Sequence, residues 1–422
     1  MMPKEIHSTG PVDARINVPG SKSITNRALI CAALAEGGSL IRNASDSDDT
    51  ALMSNGLNQF GVLVRKTDND LAVSGKGGEL HAPKFPIPVG NAGTTLRFLL
   101  SLSALARGRV VLEGSERMAE RPNDDLLEAL QTLGVRARRQ RSMAHFEVEG
   151  GTFRGGVATL RTDKSSQFLS SLLMVAPYAT GNVEIAVEGA VTSASYVNLT
   201  IDVMRKFGVA VDTRERNRFI VARGGRYKST AFVVEPDASS ASYAFAAAAI
   251  AGGRVAVPGL VRVSLQGDLG FVEILERMGC NVEIKNDEFR VKRMDKLRGV
   301  DVDMNRMPDI VPTLAVTALF AQGSTRIRNV AQLRHKESNR LDDLATELQK
   351  TGAMVSVTED GLEIEPGPLH GATLDPHDDH RLAMSFALLG LRVPGMMIED
   401  PDCVSKSFPT FWKEFEKFSS NR

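Results

Sequence analysis

Hydrophobic residues are grouped along this chain in a pattern that repeats. Segments of small and apolar residues, each closed by a glycine and followed by a short β-rich run, occur six times. The closing glycines lie 70 to 73 residues apart and are Gly38, Gly108, Gly181, Gly253, Gly323 and Gly395. A fixed spacing of this kind indicates repetition of one supersecondary unit. The pattern therefore predicts six copies of a single α/β unit.

A second, amphipathic segment follows the apolar one in each copy. In five copies its apolar stripe ends at a glycine, whereas the sixth is shortened to FPTFWKEFEKF; the glycines are Gly61, Gly134, Gly208, Gly279 and Gly352. Such a glycine is typical of a helix C-terminus. The apolar helix of each copy is expected to be buried, and the amphipathic helix to cover it. We expect three copies to close around buried helices, so that six copies make two lobes of an α/β protein.

The predicted buried helices begin with polar residues. Their starts read GSKSITNR, GNAGTTLR, DKSSQF, PDASSASY, NRMPDI and HDDHRL. Ordinary N-capping explains the Ser, Thr, Asn and Asp residues, and it suffices for the fourth start, 237–240, which has no cation. Capping does not explain Lys22, Arg27, Arg97 or Arg381, because a cation at a helix N-terminus opposes the helix dipole. A bound phosphate or carboxylate would satisfy both the cations and the free backbone N–H groups.

Three other charged segments are candidates for the same chemistry. ERMAERP is expected to be a loop before a helix that begins near Asn123; there Arg117 is expected to be solvated, and Arg121, beside a rigid proline, to bind an anion. The run RHKESNRL contains Glu337 and is either a solvated face or part of a site. Lys406, in a predicted loop CVSKSFP, is either a surface charge or an anion ligand.

Composition restricts the possible partners. The 51 basic and 51 acidic residues among 422 cancel, so no overall charge attracts nucleic acid or a membrane surface. An odd number of widely spaced cysteines, Cys31, Cys280 and Cys403, fits a reducing compartment. His377 and His380 have no third ligand nearby, so no metal is expected.

Several other classes of protein lack their sequence signals. The chain has no GxSxG, no Walker-type loop and no GxGxxG after a strand, which removes support for covalent serine, P-loop and Rossmann chemistry. No stretch is long and apolar enough for a membrane span, and the N-terminal residues lack a signal or transit pattern. We therefore expect a cytoplasmic protein.

The polar segments, taken in order, resemble those of the 5-enolpyruvylshikimate 3-phosphate synthase family. The resemblance spans nearly the whole chain and rests on PGSKSITNRAL, GNAGTTLRFL, ERP, SSQFLSSLLM, DASSASY, NRMPD, HKESNRL, DDHRLAM and KSFP. It implies an inside-out α/β barrel type of fold, in which each lobe has three repeated units with buried helices and outer sheets. One lobe would be 20–235 and the other 1–19 with 236–422, and the active site would lie in the cleft between them.

The resemblance also implies a reaction. The enolpyruvyl group of phosphoenolpyruvate would be transferred to the 5-hydroxyl of shikimate 3-phosphate, with release of phosphate, in the shikimate pathway to chorismate and the aromatic amino acids. Neither a metal nor an organic cofactor would be needed, and a monomer is expected. Gly93 is retained where small changes in the family exclude glyphosate, so inhibition by glyphosate is expected. Phe98 stands where many relatives have proline, and Gln332 where some have asparagine.

The residues that match the family's motifs supply expected ligands. Phosphoenolpyruvate would be bound by Lys22, Asn91, Gly93, Arg121, Gln167, Arg340, Arg381 and Lys406. Shikimate 3-phosphate would be bound by Lys22, Ser23, Arg27, Ser165, Ser166, Gln167, Ser193, Tyr196, Asp309, Gln332 and Lys336. The reaction needs a base for the hydroxyl and an acid for the methylene carbon. Asp309 would be the base, and Glu337 and Lys22 would share the acid role.

Three rival functions can be distinguished by their required residues. The sister enolpyruvyl transferase acting on UDP-N-acetylglucosamine needs a cysteine near ERMAERP, where none of the three cysteines lies. A cyclase acting on RNA 3′-phosphate ends needs a nucleotide site and a catalytic histidine, which we cannot place. A non-catalytic receptor for phosphorylated ligands needs cations but not the two carboxylates of Asp309 and Glu337.

Overall fold

The computed structural model describes residues 2–140 and 144–419. The chain divides into a continuous unit, Gly20–Val234, and a discontinuous unit, Met1–Pro19 with Glu235–Arg422. The division expected from the sequence, after residue 235, falls one residue away from this boundary. Each unit has its own hydrophobic core.

Helices of the two predicted kinds alternate along the described chain. The helices are α1 Lys22–Leu34, α2 Asp48–Gln59, α3 Gly93–Leu102, α4 Glu116–Glu120, α5 Asp124–Thr132, α6 Gln167–Val175, α7 Ala194–Lys206, α8 Ala238–Ala251, α9 Phe271–Met278, α10 Val311–Ala318, α11 Arg340–Gln349, α12 His380–Gly390 and α13 Phe411–Phe415. The apolar ones are α1, α3, α6, α8, α10 and α12. Every residue of α8, α10 and α12 is buried.

The buried helices form the centre of each unit. In the continuous unit α1, α3 and α6 pack against one another, and in the discontinuous unit α8, α10 and α12 do the same. A helix that is apolar on every side must be covered on every side, which explains this arrangement. Five amphipathic helices end, as predicted, at glycines with positive φ, namely Gly61, Gly134, Gly208, Gly279 and Gly352.

The strands form six main sheets and one two-stranded pair in the described residues. They are β1 Lys4–Ile6, β2 Val12–Arg15, β3 Glu36–Arg42, β4 Leu63–Thr67, β5 Asp70–Lys76, β6 Ile87–Gly90, β7 Gly108–Gly114, β8 Arg136–Gln140, β9 His145–Gly150, β10 Gly156–Arg161, β11 Val183–Glu188, β12 Arg218–Val221, β13 Ala231–Val233, β14 Gly253–Pro258, β15 Cys280–Lys285, β16 Glu288–Arg293, β17 Leu297–Arg298, β18 Asp301–Asp303, β19 Ala321–Gln322, β20 Thr325–Arg328, β21 Met354–Val357, β22 Leu362–Glu365, β23 Thr373–Leu374 and β24 Met396–Ile398.

Each main sheet belongs to one repeat. The strand orders are β13-β3-β5-β4, β6-β7-β9-β8 and β10-β11-β12 in the continuous unit, and β15-β16-β14-β2, β18-β20-β22-β21 and β1-β24-β23 in the discontinuous unit. One pair of neighbours in each sheet is parallel. In four sheets the two strands of this pair come before and after the same buried helix, and the pairs β13-β3 and β2-β14 are the exceptions. The predicted six α/β units are confirmed. Among the described strands, however, no sheet closes into a barrel.

Two strands are exchanged between repeats. β2 comes directly before α1 in the sequence but pairs with β14, and β13 comes directly before α8 but pairs with β3. β2 precedes α1 of the continuous unit but completes a sheet of the discontinuous unit. β13 precedes α8 of the discontinuous unit but completes a sheet of the continuous unit. This exchange explains why one unit is discontinuous in sequence.

Two predicted loops contain helical turns instead. The segment ERMAERP includes α4, whose first turn is capped by Ser115 accepting from the backbone N–H of Met118. The segment CVSKSFP lies partly in the 3-10 helix Pro401–Lys406. Neither turn has the apolar periodicity from which longer helices are predicted, which is why the sequence pattern missed them.

Candidate functional site

Several buried helices begin without a side-chain cap. Asp237 and Asp379 cap α8 and α12 by accepting from backbone N–H groups, so the fourth start is a structural cap, as expected. In the described residues, α1, α3, α6 and α10 have no such hydrogen bond at the N-cap. Uncapped N–H groups at a helix start favour anions. Of the four cations predicted from the sequence, Lys22 and Arg27 lie in α1 and Arg97 lies in α3, whereas Arg381 lies in the first turn of the capped helix α12.

Lys22, the first residue of α1, forms a mostly buried ion pair with Asp49 of α2. The Lys22 Nζ to Asp49 Oδ2 distance is 2.7 Å. Thr95 donates its hydroxyl to the Asp49 carbonyl at 3.0 Å, which ties α3 to the same place. The sequence analysis missed Asp49, because aspartates in the first turn of a helix are ordinary partners of its dipole.

Arg27 is buried and held by the protein itself. Its Nε donates to Thr200 Oγ1 at 2.6 Å, and its Nη1 and Nη2 donate to the carbonyls of Ser23 and Tyr196 at 2.8 and 3.3 Å. The Phe98 ring lies 5.3 Å from the guanidinium carbon. Burial lowers the pKa of Arg27 to about 10, so it stays charged at neutral pH. Phe98, one of the two departures from the family pattern, thus supports this cation.

Gln167, at the start of α6, is oriented by Arg97. Arg97 Nη1 donates to Gln167 Oε1 at 2.7 Å and to Ser165 Oγ at 3.4 Å, and Arg97 Nε donates to Asn123 at 3.0 Å. The other side of the Gln167 amide donates to Thr94 at 3.1 Å. Arg97 is therefore occupied with positioning these side chains.

Other expected ligands cluster at helix starts of the same unit. Ser166 is the buried N-cap residue of α6, and Ser193 is the buried N-cap residue of α7. Ser193 has a left-handed backbone with φ of 52°, which is uncommon outside glycine. Tyr196, one turn into α7, contributes its carbonyl to Arg27.

Arg121 lies against the start of α3. Its Nη1 donates to the carbonyl and side-chain oxygens of Asn91 at 2.9 and 3.1 Å. A Cβ atom on Gly93 would lie 2.5 Å from Arg121 Nη2, so the guanidinium would have to shift from this position if residue 93 had a side chain. Arg117, by contrast, pairs with Glu120 at 2.6 Å.

Arg340 is the centre of a second cluster, in the discontinuous unit. It is the first residue of α11 and its side chain is only 1% exposed. Its nitrogens donate to three carboxylates, those of Asp309 at 3.0 Å, Glu337 at 2.8 Å and Asp379 at 2.6 Å. Arg381 donates to the other oxygen of Asp309 at 2.8 Å. The structure thus brings Asp309, Glu337, Arg340 and Arg381 together and adds Asp379.

Two carboxylates of this cluster have pKa values shifted in opposite directions. Burial raises the pKa of Asp309, but the charges of Arg381, Arg340 and Lys336 outweigh it and hold that pKa well below its usual range. Burial and the charge of Asp309 raise the pKa of Asp268 to about 7, although Ser239 donates its hydroxyl to Asp268. Asp309 is therefore ionised at neutral pH. Asp268 was not predicted, because it follows a glycine in an otherwise ordinary helix start.

Three further expected ligands occupy short helical segments of this unit. Gln332 is buried in the 3-10 helix Ala331–His335, and its Nε2 has no hydrogen-bond partner among the described residues. Lys336 directly follows this 3-10 helix, and its charge lowers the pKa of Asp309. Lys406 ends the 3-10 helix Pro401–Lys406 and is half-buried. Burial raises the pKa of Cys403, and the charge of Lys406 acts in the opposite direction.

The described part of the chain lacks two features that other protein classes need. No group of three or more His, Cys, Asp or Glu side chains there is arranged to hold a metal ion. None of the helices described has both the length and the apolar character needed to cross a membrane.

Comparison with known proteins finds one family over the whole chain. Residues 6–415 match the family model of EPSP synthase (3-phosphoshikimate 1-carboxyvinyltransferase). A curated 3-phosphoshikimate 1-carboxyvinyltransferase from Methanoculleus marisnigri is 47% identical over 97% of both chains. A protein of the same name from Trichormus variabilis is 43% identical over 96% of both chains. The solved structure of EPSP synthase from Acinetobacter baumannii has a TM-score of 0.81 and 26% identity over 98% of both chains.

Proposed function

Because this chain belongs to the EPSP synthase family, we propose that it transfers the enolpyruvyl group of phosphoenolpyruvate to the 5-hydroxyl of shikimate 3-phosphate and releases phosphate. The reaction belongs to the shikimate pathway to chorismate. The observation that carries the proposal is the cluster in which Arg340 and Arg381 share Asp309 and Arg340 also contacts Glu337. Binding of anions alone would need the arginines but not carboxylates at hydrogen-bonding distance from them.

The proposed substrates explain why so many cations are fixed in place. Together the two substrates carry two phosphates and two carboxylates, and buried cations stabilise such anions far better than exposed ones. We assign phosphoenolpyruvate to Lys22, Asn91, Gly93, Arg121, Gln167, Arg340, Arg381 and Lys406. Most of these side chains are held by hydrogen bonds within the protein, so little side-chain freedom is lost when an anion binds.

Shikimate 3-phosphate has hydroxyl groups as well as charges, and its proposed ligands include hydroxyls and amides. They are Lys22, Ser23, Arg27, Ser165, Ser166, Gln167, Ser193, Tyr196, Asp309, Gln332 and Lys336. The buried Nε2 of Gln332 supports its inclusion, because a buried donor without an acceptor costs about 1–3 kcal/mol. A substrate oxygen would remove that cost.

Asp309 is the proposed base for the 5-hydroxyl, and Glu337 and Lys22 are the proposed acids. In the structure Asp309 accepts from two arginines, which makes it a weak base. An anionic substrate that binds Arg340 and Arg381 shares their charge, and the pKa of Asp309 then rises. Substrate binding would in this way prepare the base. No metal or organic cofactor is part of the proposal.

Phosphate release tests the proposal directly. With phosphoenolpyruvate, the protein is expected to release phosphate only when shikimate 3-phosphate is present, and UDP-N-acetylglucosamine should not replace it. Asp309→Ala should reduce kcat by about a hundredfold or more while both substrates still bind. Asp13→Ala, which removes an exposed ion-pair partner of Arg254, is the matched control and should keep full turnover. Phosphate release without shikimate 3-phosphate would refute the assignment.

Inhibition by glyphosate is a separate part of the proposal. Glyphosate is a small molecule with a phosphonate and a carboxylate, and the Arg121 guanidinium lies in the space that Gly93 leaves open. We expect glyphosate to compete with phosphoenolpyruvate. Undiminished turnover at saturating glyphosate would contradict this expectation.

A further inference from the structure

A strained turn connects β23 to α12, immediately before the arginine cluster. His377 and Asp378 both have left-handed backbones, with φ of 53° and 54°. Residues other than glycine seldom adopt this conformation, so the surrounding structure must hold it. The turn ends at Asp379, which accepts from Arg340 Nε at 2.6 Å and from the backbone N–H of Arg381 at 2.9 Å. Its geometry therefore decides where Arg340 and Arg381 are directed.

Glu347 holds the other end of this turn. Its side chain is 2% exposed and projects from α11. Its Oε2 accepts the backbone N–H of Asp375 at 2.9 Å, and its Oε1 lies 3.1 Å from Nε2 of His377. Lys350, one turn later, neutralises the carboxylate through contacts at 2.7 and 2.8 Å. The turn is thus attached to α11 at both ends, by Arg340 and by Glu347.

We propose that Glu347 is a positioning residue for the anion-binding cluster. By fixing Asp375 and His377 it stabilises the left-handed turn, and the turn places the Asp379 carboxylate. Asp379 in turn orients Arg340 and the first turn of α12, from which Arg381 projects. Glu347 acts only through these groups. The assignment of the cluster to phosphoenolpyruvate rests on the proposed function.

The same arrangement occurs a second time in this unit. Glu414 is buried, contacts Lys417 three residues later, and accepts the backbone N–H of Asn17 at 2.8 Å. Asn17 follows β2 by two residues, as Asp375 directly follows β23. An anchoring glutamate therefore occurs in two of the six repeats. What distinguishes Glu347 is the turn that it anchors, which leads into Asp379 and Arg381.

Steady-state kinetics of Glu347→Ala and Glu347→Gln test the proposal. Glu347→Ala is expected to raise the KM for phosphoenolpyruvate about tenfold or more, because small displacements of binding groups have large effects. The KM for shikimate 3-phosphate should stay within about twofold of wild type. Glu347→Gln retains an acceptor for the Asp375 N–H and should give an intermediate KM for phosphoenolpyruvate. Exchange of the backbone amide hydrogens of residues 375–381 should be slowest in wild type, faster in Glu347→Gln and fastest in Glu347→Ala.

Two variants of the same helix separate positioning from loss of stability. Leu348→Ala removes a fully buried side chain and should lower Tm without changing the KM for phosphoenolpyruvate. Lys350→Ala leaves the contacts of Glu347 with Asp375 and His377 in place and should also keep this KM. The proposal is overturned if Glu347→Ala raises both KM values equally, or if Leu348→Ala reproduces its kinetics. If the wild type shows no activity with shikimate 3-phosphate, the proposed function fails, whereas the exchange rates still report on the anchor.

Discussion

Single carboxylates in the Arg340 cluster differ in charge state because their partners differ. Asp309 accepts from Arg340 and Arg381, and their charges outweigh the effect of burial on its pKa. Asp268 is more deeply buried than Asp309 and accepts from a neutral hydroxyl, so burial and the nearby charge of Asp309 raise its pKa to about 7. Groups whose pKa values are driven apart in this way can take different proton-transfer roles in one site.

The raised pKa of Asp268 predicts a pH dependence of stability. The folded protein binds this proton more tightly than the unfolded chain, whose Asp pKa is near 3.8, so the Asp268 contribution to stability falls as the pH rises from about 4 to 7. Asp268→Asn should remove that loss. As the pH rises toward 7, the free energy of unfolding of the variant minus that of wild type should increase by up to about 1.4 kcal/mol per pH unit. Above pH 7 this difference should stay constant.

Urea unfolding at pH 5, 6, 7 and 8 would measure this difference. Asp13→Asn is the matched control, because its hydrogen bond with Arg254 lowers the Asp13 pKa and places its titration below this range. Its difference from wild type should not change with pH. A constant difference for Asp268→Asn would contradict the expected titration.

Gly93 predicts a steric effect on Arg121. In Gly93→Ala the new methyl group would lie 2.5 Å from Arg121 Nη2, so the guanidinium must move. We expect the KM for phosphoenolpyruvate to rise about tenfold and glyphosate inhibition to weaken, with the KM for shikimate 3-phosphate little changed. Gly38→Ala is the control, since its Cβ would meet nothing within 4 Å. Unchanged kinetics in Gly93→Ala would place Arg121 outside the site.

At the scale of elements, the sequence predicted helices well and their supporting contacts poorly. Apolar runs predicted the buried helices, since a helix that is apolar all round can only be buried. The contacts of Lys22 with Asp49, and of Arg340 with Asp379, join residues 27 and 39 positions apart. Nothing in local spacing indicates such pairs. The sequence therefore predicted the cations, together with Asp309 and Glu337, but not the orienting carboxylates Asp49 and Asp379.

The buried helices are closely packed, so we expect little space for larger side chains between them. Ala246 in α8 is fully buried among other helices, whereas Ala51 in α2 is exposed. Ala246→Leu should destabilise the protein by about 1–3 kcal/mol, because the added methylene groups have no space. Ala51→Leu makes the same change at the surface and should alter stability by less than about 0.5 kcal/mol. Equal unfolding free energies for the two variants would contradict the close packing of α8.

At the scale of the whole molecule, periodicity predicted six units but could not predict the exchanged strands. β2 is four residues long and β13 is three, and segments this short carry no signal for which sheet they join. In the structure β13 completes the sheet of β3, and β2 completes the sheet of β14. Each unit therefore contains all strands of its own sheets, although one unit is built from two chain segments.

Because the continuous unit contains all strands of its own sheets, we expect it to fold without the rest of the chain. A fragment of residues 20–234 retains its three buried helices, all of its main sheets and its own core. We expect it to unfold in a single cooperative transition in urea, followed by circular dichroism. A fragment of residues 20–229 lacks β13, exposes the edge of β3 and loses the buried Phe232, so it should unfold at lower urea concentration. If 20–234 showed no cooperative transition, or if both fragments were equally stable, the closing role of β13 would be wrong, and the stability of this unit would depend on the rest of the chain.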